Sequence, residues 1–269
     1  PTPLILIHDG GGTIFAYYCL NPLHPRREVY AIANPRYHSL PPADFPSSLP
    51  QWEGGIPQMA AHYLSLIKSL YPTRGTKILL GGWSMGGLIS LQIAKLIADE
   101  GERYFDVVGI VMIDSICPIV MEEDSRRFKR VVQHAVQWGT NTREDTKLKV
   151  MRCFDEAVKM VGSWDMPEWA EGERVPPAIL LKAKESVPLP ESEKKEGAVS
   201  RVDIHRRDEL LGWDLYRKGF VSKVVEIPGH HFNIFAPEVE GNLDFVSTEI
   251  GRACVDLERM WDCERKGGW

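Results

Sequence analysis

Residues 77–88, KILLGGWSMGGL, decide the fold of this chain. Their first part, Ile78 to Leu80, consists of apolar residues typical of a strand buried on both faces of a parallel sheet. After the glycines, apolar residues recur at the spacing of a mostly buried helix: Leu88, Ile89, Leu91, Ile93, Ala94 and Ile97. The pattern G-x-S-x-G, residues 82–86, lies between the two and has Ser84 at its centre. The stretch therefore predicts a strand, a sharp turn and a helix.

The sharp turn predicts a reactive serine. In this pattern the serine adopts a strained backbone conformation, and only glycine fits two residues to either side. The Ser84 hydroxyl would project above the sheet, and the start of the next helix would favour a developing anion. A chance match is the alternative, because the pattern alone occurs in many unrelated loops. The flanking strand and helix favour Ser84 as a nucleophile and the N–H of Met85 as an oxyanion donor.

Length and charge limit the classes of function. At 269 residues and 43% hydrophobic composition, the chain is long enough for one large α/β domain, and we expect residues 1–269 to form it. The net charge of -5 and the lack of basic patches argue against nucleic acid and anionic membranes as partners. No apolar run reaches the roughly 20 residues that span a bilayer. The start, Pro1-Thr2-Pro3, is neither a signal peptide nor an initiator methionine, so we expect that something has been cut from the N-terminus.

The five cysteines indicate a reducing compartment. They are odd in number, widely spread and without C-x-x-C spacing, which argues against a disulfide scaffold and against a zinc site. They are Cys19, Cys117, Cys153, Cys254 and Cys263. We therefore expect free thiols, no bound metal and a cytoplasmic protein.

The first predicted strand runs directly into a glycine-rich loop. Leu4 to Ile7 are apolar, and His8-Asp9-Gly10-Gly11-Gly12 follows. Ligand sites in open parallel sheets lie at the carboxyl ends of strands, and closely spaced glycines let the main chain approach a reacting carbonyl group. We therefore predict the N–H of Gly10 as the second oxyanion donor, and structural roles for the side chains of His8 and Asp9. A phosphate loop is the alternative, but the segment lacks both the G-K-[ST] ending and the G-x-G-x-x-G spacing.

The next segments predict a parallel sheet and a candidate acid. An amphipathic helix over residues 56–70 separates the strand of residues 28–32 from the strand before Ser84, which completes a β-α-β unit. The strand of residues 106–113 then ends at Asp114, on the rim that carries Ser84. A carboxylate directly after so apolar a run is costly unless its charge is used, although it can also cap a turn or a helix. Asp114 is therefore our candidate acid.

Residues 119–175 differ in character from the rest of the chain. They carry charged helical patterns with apolar stripes and no predicted strand. One stripe consists of Phe128, Val131, Val132, Ala135 and Val136. An insertion of this length that contains Trp138, Trp164 and Trp169 predicts a helical lid over an apolar channel. The alternative is that these aromatic side chains pack only against the body of the domain.

Three aspartates after the next strand, residues 178–183, compete with Asp114 for the role of the acid. They are Asp203, Asp208 and Asp214. We expect them in surface turns or on the helix bearing Leu210, Leu211 and Trp213, and keep them as the fallback.

The last predicted strand carries the candidate base. Residues 223–227 are followed by Pro228-Gly229-His230-His231-Phe232, which places a histidine where the order Ser, Asp, His requires the base. The residues alone do not decide whether His230 or His231 is the base. The final helix is predicted over residues 239–261.

With these residues, the sequence resembles the thioesterases of polyketide and nonribosomal peptide assembly lines, which belong to the α/β-hydrolase superfamily. The resemblance covers nearly the whole chain and rests on IHDGGG, GGWSMGG, VMID, the inserted lid and IPGHHFNIF. The loops look like those of fungal members. The resemblance implies a mostly parallel central sheet flanked by helices, with a helical lid inserted at residues 119–175. The leading strands common in the superfamily are absent or lie upstream of Pro1.

The resemblance also implies the roles of the site residues. The family motif of glycine, a variable residue, histidine and phenylalanine assigns the base to His231 and leaves His230 in the variable place. The family takes its acid from the strand after the elbow helix, which favours Asp114. The implied partner is an acyl or peptidyl carrier protein, whose phosphopantetheine arm delivers the chain to Ser84. The implied protein needs no metal or cofactor of its own.

The expected function is therefore a thioesterase that releases a polyketide or peptidyl chain by hydrolysis or cyclisation. A small-molecule carboxylesterase or lipase is the alternative within the superfamily. A catalytically inactive interaction domain is the alternative from another class. The sequence leaves open the acyl chain, the choice among hydrolysis, lactonisation and carbon–carbon cyclisation, and the oligomeric state.

Overall fold

The fold is built around a parallel sheet. The computed structural model describes residues 1–39, 52–100, 104–122, 128–132, 138, 141–236 and 242–266. The strands in these ranges are β1 (Leu4–Ile7), β2 (Val29–Ile32), β3 (Thr76–Trp83), β4 (Phe105–Ile113), β5 (Arg130–Val132), β6 (Ala178–Glu185), β7 (Ala198–Ser200) and β8 (Val221–His230). The central sheet has the order β2-β1-β3-β4-β6-β8, and each of its strand pairs is parallel. The predicted parallel central sheet is confirmed.

Helices cover both faces of this sheet. They are α1 (Pro35–Ser39), α2 (Gly55–Leu70), α3 (Met85–Asp99), α4 (Glu144–Gly162), α5 (Trp213–Tyr216) and α6 (Asn242–Lys266), with 3-10 turns at Phe15–Cys19 and Arg201–Asp203. The buried side chains of α2 and α3 belong to one apolar cluster, and those of α6 belong to a second cluster on the opposite face. In the described part of the chain, no helix is both long and apolar enough to cross a lipid bilayer.

Alternation along the central strands divides the core between the two faces. In β3, Ile78 and Leu80 point into the cluster of α2 and α3, whereas Leu79 points into the cluster of α6. This is the two-residue period of a strand, and all three side chains are buried because both faces are covered. Each such aliphatic side chain contributes about 1.5–3 kcal/mol by leaving water. The buried parts of these central strands are therefore continuous runs of apolar residues and glycine, and this pattern made the strands predictable.

The strand order places a crevice next to Ser84. The chain passes from β1 to β2 on one side and then returns to place β3 on the other side of β1. At such a reversal the loops after the two strands diverge and leave room for a ligand at their carboxyl ends. The loops that meet here are the glycine-rich loop of residues 8–12 and the turn at Ser84.

One prediction for the inserted segment is wrong. The sequence predicts no strand within residues 119–175, but Arg130–Val132 forms β5 and pairs in parallel with β7, apart from the central sheet. Consecutive valines suit an extended pairing, and the partner strand lies far along the sequence. Ala135 and Val136 of the predicted stripe lie outside the described residues, as do residues 239–241 of the predicted final helix. That helix extends to Lys266.

The expected helix bearing Leu210, Leu211 and Trp213 is also different in the structure. Leu210 and Leu211 lie in turns, and only Trp213–Tyr216 is helical. Leu211 and Gly212 both have positive φ angles, 49° and 84°, which interrupt a right-handed helix. Leu211 and Trp213 are nevertheless fully buried, so their apolar character reflects packing against the core and not a helical stripe.

Candidate active site

Ser84 lies at the turn between β3 and α3. Its φ and ψ angles are 56° and −120°, a conformation that residues with a side chain rarely adopt. The flanking glycines are required by the close approach of β1. A Cβ atom at Gly82 would lie 2.6 Å from the carbonyl oxygen of Ile7, and one at Gly86 would lie 2.3 Å from the same oxygen. The G-x-S-x-G pattern therefore has a steric cause, and the predicted strand, turn and helix are all present.

His231 follows the end of β8 and contacts Ser84. Its Nε2 atom lies 3.0 Å from Ser84 Oγ, and its Nδ1 atom lies 2.7 Å from Asp114 Oδ2. An ionised carboxylate only accepts hydrogen bonds, so Nδ1–H donates to Asp114 and Nε2 is left to accept from the serine hydroxyl. The ring is buried and lies beside Trp83 and Phe232. The structure thus brings Ser84, His231 and Asp114 into one hydrogen-bonded chain.

His230 points away from this chain. The Nδ1 atom of its ring accepts a hydrogen bond from the backbone N–H of Phe232 at 3.3 Å, and the backbone N–H of His230 donates to Asn233 Oδ1. Burial lowers the pKa of His230, a shift opposed by the nearby carboxylates of Glu185 and Asp203. Of the two adjacent histidines, His231 is therefore the one in contact with Ser84.

Asp114 lies directly after β4 and is fully buried. Its φ angle of 46° turns the side chain toward β6, where Oδ1 accepts the N–H of Ala183 at 2.8 Å. Two further bonds come from Arg206, whose Nη1 and Nη2 atoms lie 2.6 Å and 2.7 Å from Oδ1 and Oδ2. Burial alone would raise the pKa of Asp114, but the hydrogen bonds from Arg206 and His231 lower it to about 2. Asp114 is therefore an anion near neutral pH.

Arg206 is a part of this site that the sequence did not indicate, and it binds Asp203, one of the three fallback acids. Asp203 is buried, and its Oδ1 and Oδ2 atoms accept hydrogen bonds from Arg206 Nε at 2.9 Å and from the N–H of Val187 at 2.7 Å. The expectation that Asp203 lies in a surface turn is therefore wrong. Burial is possible because Arg206 neutralises the carboxylate. The three-residue spacing of Asp203 and Arg206 was the only local signal of this pair.

The other two fallback acids lie away from His231. Asp208 accepts the N–H groups of Leu210 and Gly212 at 2.8 Å and 3.2 Å, which is the cap of a turn. Asp214 lies in the first turn of α5 and is exposed. The structure therefore assigns local structural contacts to Asp208 and surface exposure to Asp214.

Gly10 and Met85 border the same cavity as Ser84. Met85 is the first residue of α3, and Gly10 lies in the loop after β1. Within the described residues, neither of their N–H groups donates to a protein acceptor. Free N–H groups at a helix start and in a glycine loop are suited to an oxyanion. A Cβ atom at Gly10 would lie 3.1 Å from the ring of Phe154, so this position is also tightly packed.

The side chains of His8 and Asp9 support the glycine loop. His8 Nδ1–H donates to the carbonyl oxygen of Asp9 at 2.5 Å, and its Nε2 atom accepts from the hydroxyl of Tyr63 at 2.6 Å. Burial lowers the pKa of His8 to about 4, so it is neutral. Asp9 accepts the N–H of Gly11 at 3.2 Å, and burial raises its pKa to about 7. These contacts agree with the structural roles expected for both side chains.

A cavity of about 310 Å³ opens from Ser84. Apolar residues of α4 form one part of its wall, and residues of α3 and of the segment after β4 form another. The apolar lining residues include Leu88, Ile116, Val131, Phe154, Val158 and Val161. The lining is polar only near Ser84, His231, Arg201 and His205. A mostly apolar cavity with a few convergent polar groups at one end suits a ligand with an apolar body and a polar reacting group.

The tryptophans of the inserted segment do not line this cavity. Trp164 Nε1 donates to Gln92 Oε1 at 2.8 Å, and Trp169 Nε1 donates to the hydroxyl of Tyr216 at 2.7 Å. Both side chains therefore pack against the domain body, as the alternative interpretation of the sequence held. The cavity wall comes instead from the smaller apolar residues of α4.

The cysteines offer no second nucleophile to the site. All five are free, and Cys117 lies on the cavity wall. Burial raises the pKa of the Cys117 thiol to about 11, so it carries no thiolate near neutral pH. Across the described ranges, no group of three or more His, Cys, Asp or Glu residues is arranged to hold a metal ion.

Comparison with known sequences finds a matching family and relatives named as thioesterases. The alpha/beta hydrolase family matches residues 4–239. The probable thioesterase gloN of Glarea lozoyensis is 34% identical over an alignment that covers 96% of this chain and 91% of that protein. A thioesterase of Alternaria alternata is 32% identical, with 96% of this chain and 86% of that protein covered. Both relatives are fungal proteins.

Solved structures show the same fold. The NocB thioesterase domain in covalent complex with a fluorophosphonate nocardicin G analogue superposes with a TM-score of 0.63, at 21% identity over 94% of this chain and 95% of that one. The thioesterase domain SrfTE, described as cyclising the lipopeptide surfactin, superposes with a TM-score of 0.55 at 16% identity, over 93% of this chain and 89% of that one. These likenesses establish the fold, and the resemblance inferred from the sequence motifs is confirmed.

Proposed function

The chain belongs to the alpha/beta hydrolase family and, through its curated relatives, to the thioesterases, and we propose that it transfers an acyl chain from a thioester to Ser84 and then releases it. The observation that carries this proposal is the hydrogen-bonded chain from Asp114 through His231 to Ser84 at the mouth of an apolar cavity. A nucleophile, a base and an orienting acid in this arrangement are the requirements of acyl transfer.

Acylation begins with proton transfer from Ser84 Oγ to His231 Nε2. Oγ attacks the thioester carbonyl carbon, and the tetrahedral oxyanion is held by the N–H groups of Met85 and Gly10. Asp114 accepts the Nδ1–H bond and stabilises the imidazolium. The carbon–sulfur bond then breaks, and the leaving thiol takes the proton from His231.

Release repeats these steps with a different nucleophile. His231 takes a proton from water, or from a hydroxyl, amine or carbon acid of the acyl chain itself, and the attack forms the second tetrahedral intermediate. The bond between the carbonyl carbon and Ser84 Oγ breaks, and the proton returns to Ser84. Water gives a free acid, whereas an internal nucleophile gives a ring. No metal or cofactor of the protein's own takes part in these steps.

The substrate is proposed to arrive on the phosphopantetheine arm of an acyl or peptidyl carrier protein. We assign residues 119–175 the role of a lid, because α4 lies within this segment and its apolar residues line the cavity that Ser84 also borders. Such a wall keeps water from the acyl-enzyme. The proposal also places the single domain of residues 1–269 in the cytoplasm, where carrier-bound chains are made.

A carrier-bound thioester should be released faster than a free ester of the same acyl chain. The same acyl group is presented on a phosphopantetheinylated carrier protein and as a methyl ester, and products are identified by mass spectrometry. We expect kcat/KM to favour the carrier by at least about tenfold, which corresponds to 1.4 kcal/mol of extra transition-state binding. Equal rates on the two substrates would indicate the small-molecule esterase instead, and no release of either would indicate an inactive interaction domain.

Asp114→Asn should lower kcat by about ten-thousandfold, because an amide neither stabilises the imidazolium of His231 nor holds its productive tautomer. The measurement is kcat on one acyl thioester, with thermal unfolding as a check on the fold. Asp208→Asn and Asp214→Asn are the matched controls and should keep most activity, since neither carboxylate touches His231. A collapse confined to either control variant would contradict the assignment of the acid.

A further inference from the structure

Arg206 is the one buried cation in contact with the proposed acid among the described residues. All five of its N–H groups have acceptors, which fixes the guanidinium plane. The bonds run from Nη1 to Asp114 Oδ1 (2.6 Å) and the Ala183 carbonyl (2.9 Å), from Nη2 to Asp114 Oδ2 (2.7 Å) and the Val202 carbonyl (3.1 Å), and from Nε to Asp203 Oδ1 (2.9 Å). A guanidinium with every donor satisfied is rigid.

The two ends of this guanidinium bind two different carboxylates. Two parallel N–H···O bonds join it to Asp114, and one bond joins it to Asp203, whose side chain is itself held by the N–H of Val187. The side chains of Arg206, Asp114 and Asp203 are exposed by 5% or less. Charges so far from water are only weakly screened, so His231 experiences each of them.

A carboxylate paired with a cation stabilises a neighbouring imidazolium less than an unpaired carboxylate does. Arg206 therefore weakens the effect of Asp114 on His231, and Asp203 restores part of it by neutralising Arg206 in turn. The cluster of two carboxylates and one guanidinium keeps one net negative charge.

We propose that Arg206 is a positioning residue that aligns Asp114 with His231, and that Arg206 and Asp203 together set the pH at which His231 becomes a base. The kinetic consequence of this inference rests on the proposed function. The effect of Arg206 and Asp203 on the titration of His231 can be measured without turnover. Arg206 acts through Asp114 and does not touch the reacting atoms.

Other charged and titratable groups lie near His231 besides the cluster. They lie on the elements packed around it: Asp114 after β4, Glu185 at the end of β6, Arg201, Asp203, His205 and Arg206 after β7, and His230 at the end of β8. Glu185 is exposed and well screened, and neither Arg201 nor His205 bonds to Asp114 in the described structure. The buried cluster is therefore the set of charges that a substitution changes most directly.

Two substitutions should move the acid limb of the rate profile in opposite directions. Asp203→Asn removes one negative charge and leaves the pair of Arg206 and Asp114 with no net charge, which disfavours the imidazolium and should lower the apparent pKa seen in kcat/KM by about one unit. Arg206→Met leaves two carboxylates near His231 and should raise it by a similar amount. Arg206→Lys keeps the charge but loses the two parallel bonds, so kcat should fall on the order of a hundredfold with little change in the apparent pKa and in KM.

The experiment uses a short acyl thioester of N-acetylcysteamine as the probe, with pH profiles of kcat and kcat/KM. Titration of the His231 imidazole followed by carbon-13 NMR is measured on the same proteins. Arg207→Met is the matched control, because Arg207 is exposed beside Arg206, and it should leave both profiles unchanged. Thermal unfolding shows which variants are folded, and the folded conservative variants Asp203→Asn and Arg206→Lys suffice if Arg206→Met does not fold.

An imidazole titration that moves down in Asp203→Asn, together with a kcat loss in Arg206→Lys that Asp203→Asn does not share, would support the inference. An unmoved or raised titration in Asp203→Asn, or wild-type kcat in Arg206→Lys, would overturn it. A wild-type protein that does not turn over the probe would contradict the proposed function alone, because the NMR titration still measures the effect of the cluster on His231.

Discussion

Ser84→Ala is expected to abolish turnover of acyl thioesters, with kcat reduced about a millionfold. The proposed reaction has one nucleophilic oxygen, and without it His231 has no hydroxyl to deprotonate. The fold should survive, because the Ser84 hydroxyl contacts only His231 among the bonds described for its side chain, and the backbone bond from the Ser84 N–H to the carbonyl oxygen of Ile113 is unchanged. Alanine also tolerates the φ angle of 56° about as poorly as serine does.

Intact-protein mass spectrometry after exposure to an acyl thioester measures the covalent step directly. Wild type should gain the mass of one acyl group, and Ser84→Ala should gain none. Ser69→Ala, at an exposed helical position, is the matched control and should behave as wild type. An acyl adduct that persists in Ser84→Ala would remove this residue from the mechanism.

His231→Ala is expected to lower kcat at least a thousandfold, whereas His230→Ala should cost little. The two residues are adjacent, but only His231 contacts both Ser84 and Asp114. Without its imidazole, no described side chain within hydrogen-bonding distance of Ser84 Oγ can accept the proton. Among the described residues, the His230 side chain bonds to the N–H of Phe232 in its own loop, so its removal affects the loop and leaves the proton pathway in place.

The comparison is made on kcat and KM for one thioester, with unfolding curves for both variants. Added imidazole should restore part of the activity of His231→Ala, because the vacated space lies against Ser84 in the cavity, and should do nothing for His230→Ala. If His230→Ala is the inactive variant and His231→Ala the active one, the assignment is shifted by one residue along this loop.

The strands of the central sheet were predictable because their sequences fit one type of element, a strand buried on both faces. In a parallel sheet covered on both faces, the middle of a central strand is buried, so β1 and the buried parts of β3 and β4 consist of apolar residues and glycine. The turn at Ser84 was predictable for a similar reason, since Gly82 and Gly86 face backbone atoms of β1 and no larger residue fits. These requirements are local, and a sequence expresses them directly.

The predictions that failed concern residues whose burial depends on distant parts of the chain. Arg130–Val132 is a strand only because Ala198–Ser200 lies beside it. Leu211 and Trp213 are buried in turns where the sequence indicated a helix, because apolar spacing does not distinguish packing of a turn from packing of a helix. For Trp164 and Trp169 the sequence allowed either a place over the cavity or packing against the domain body, and in the structure both bond to the domain body.

The sequence by itself determined the sheet, the turn that presents Ser84, and a loop with a histidine at the end of the last strand. Each of these features depends on neighbouring residues, either through a periodic apolar pattern or because only glycine fits. Only the tertiary structure decided which carboxylate meets His231. Asp114 and Asp203 are 89 positions apart, and both are buried against Arg206, which binds Asp114 with two bonds and Asp203 with one. Such a charge cluster forms through space after the strands have paired, since burying each carboxylate requires a cation that only the folded chain brings to it.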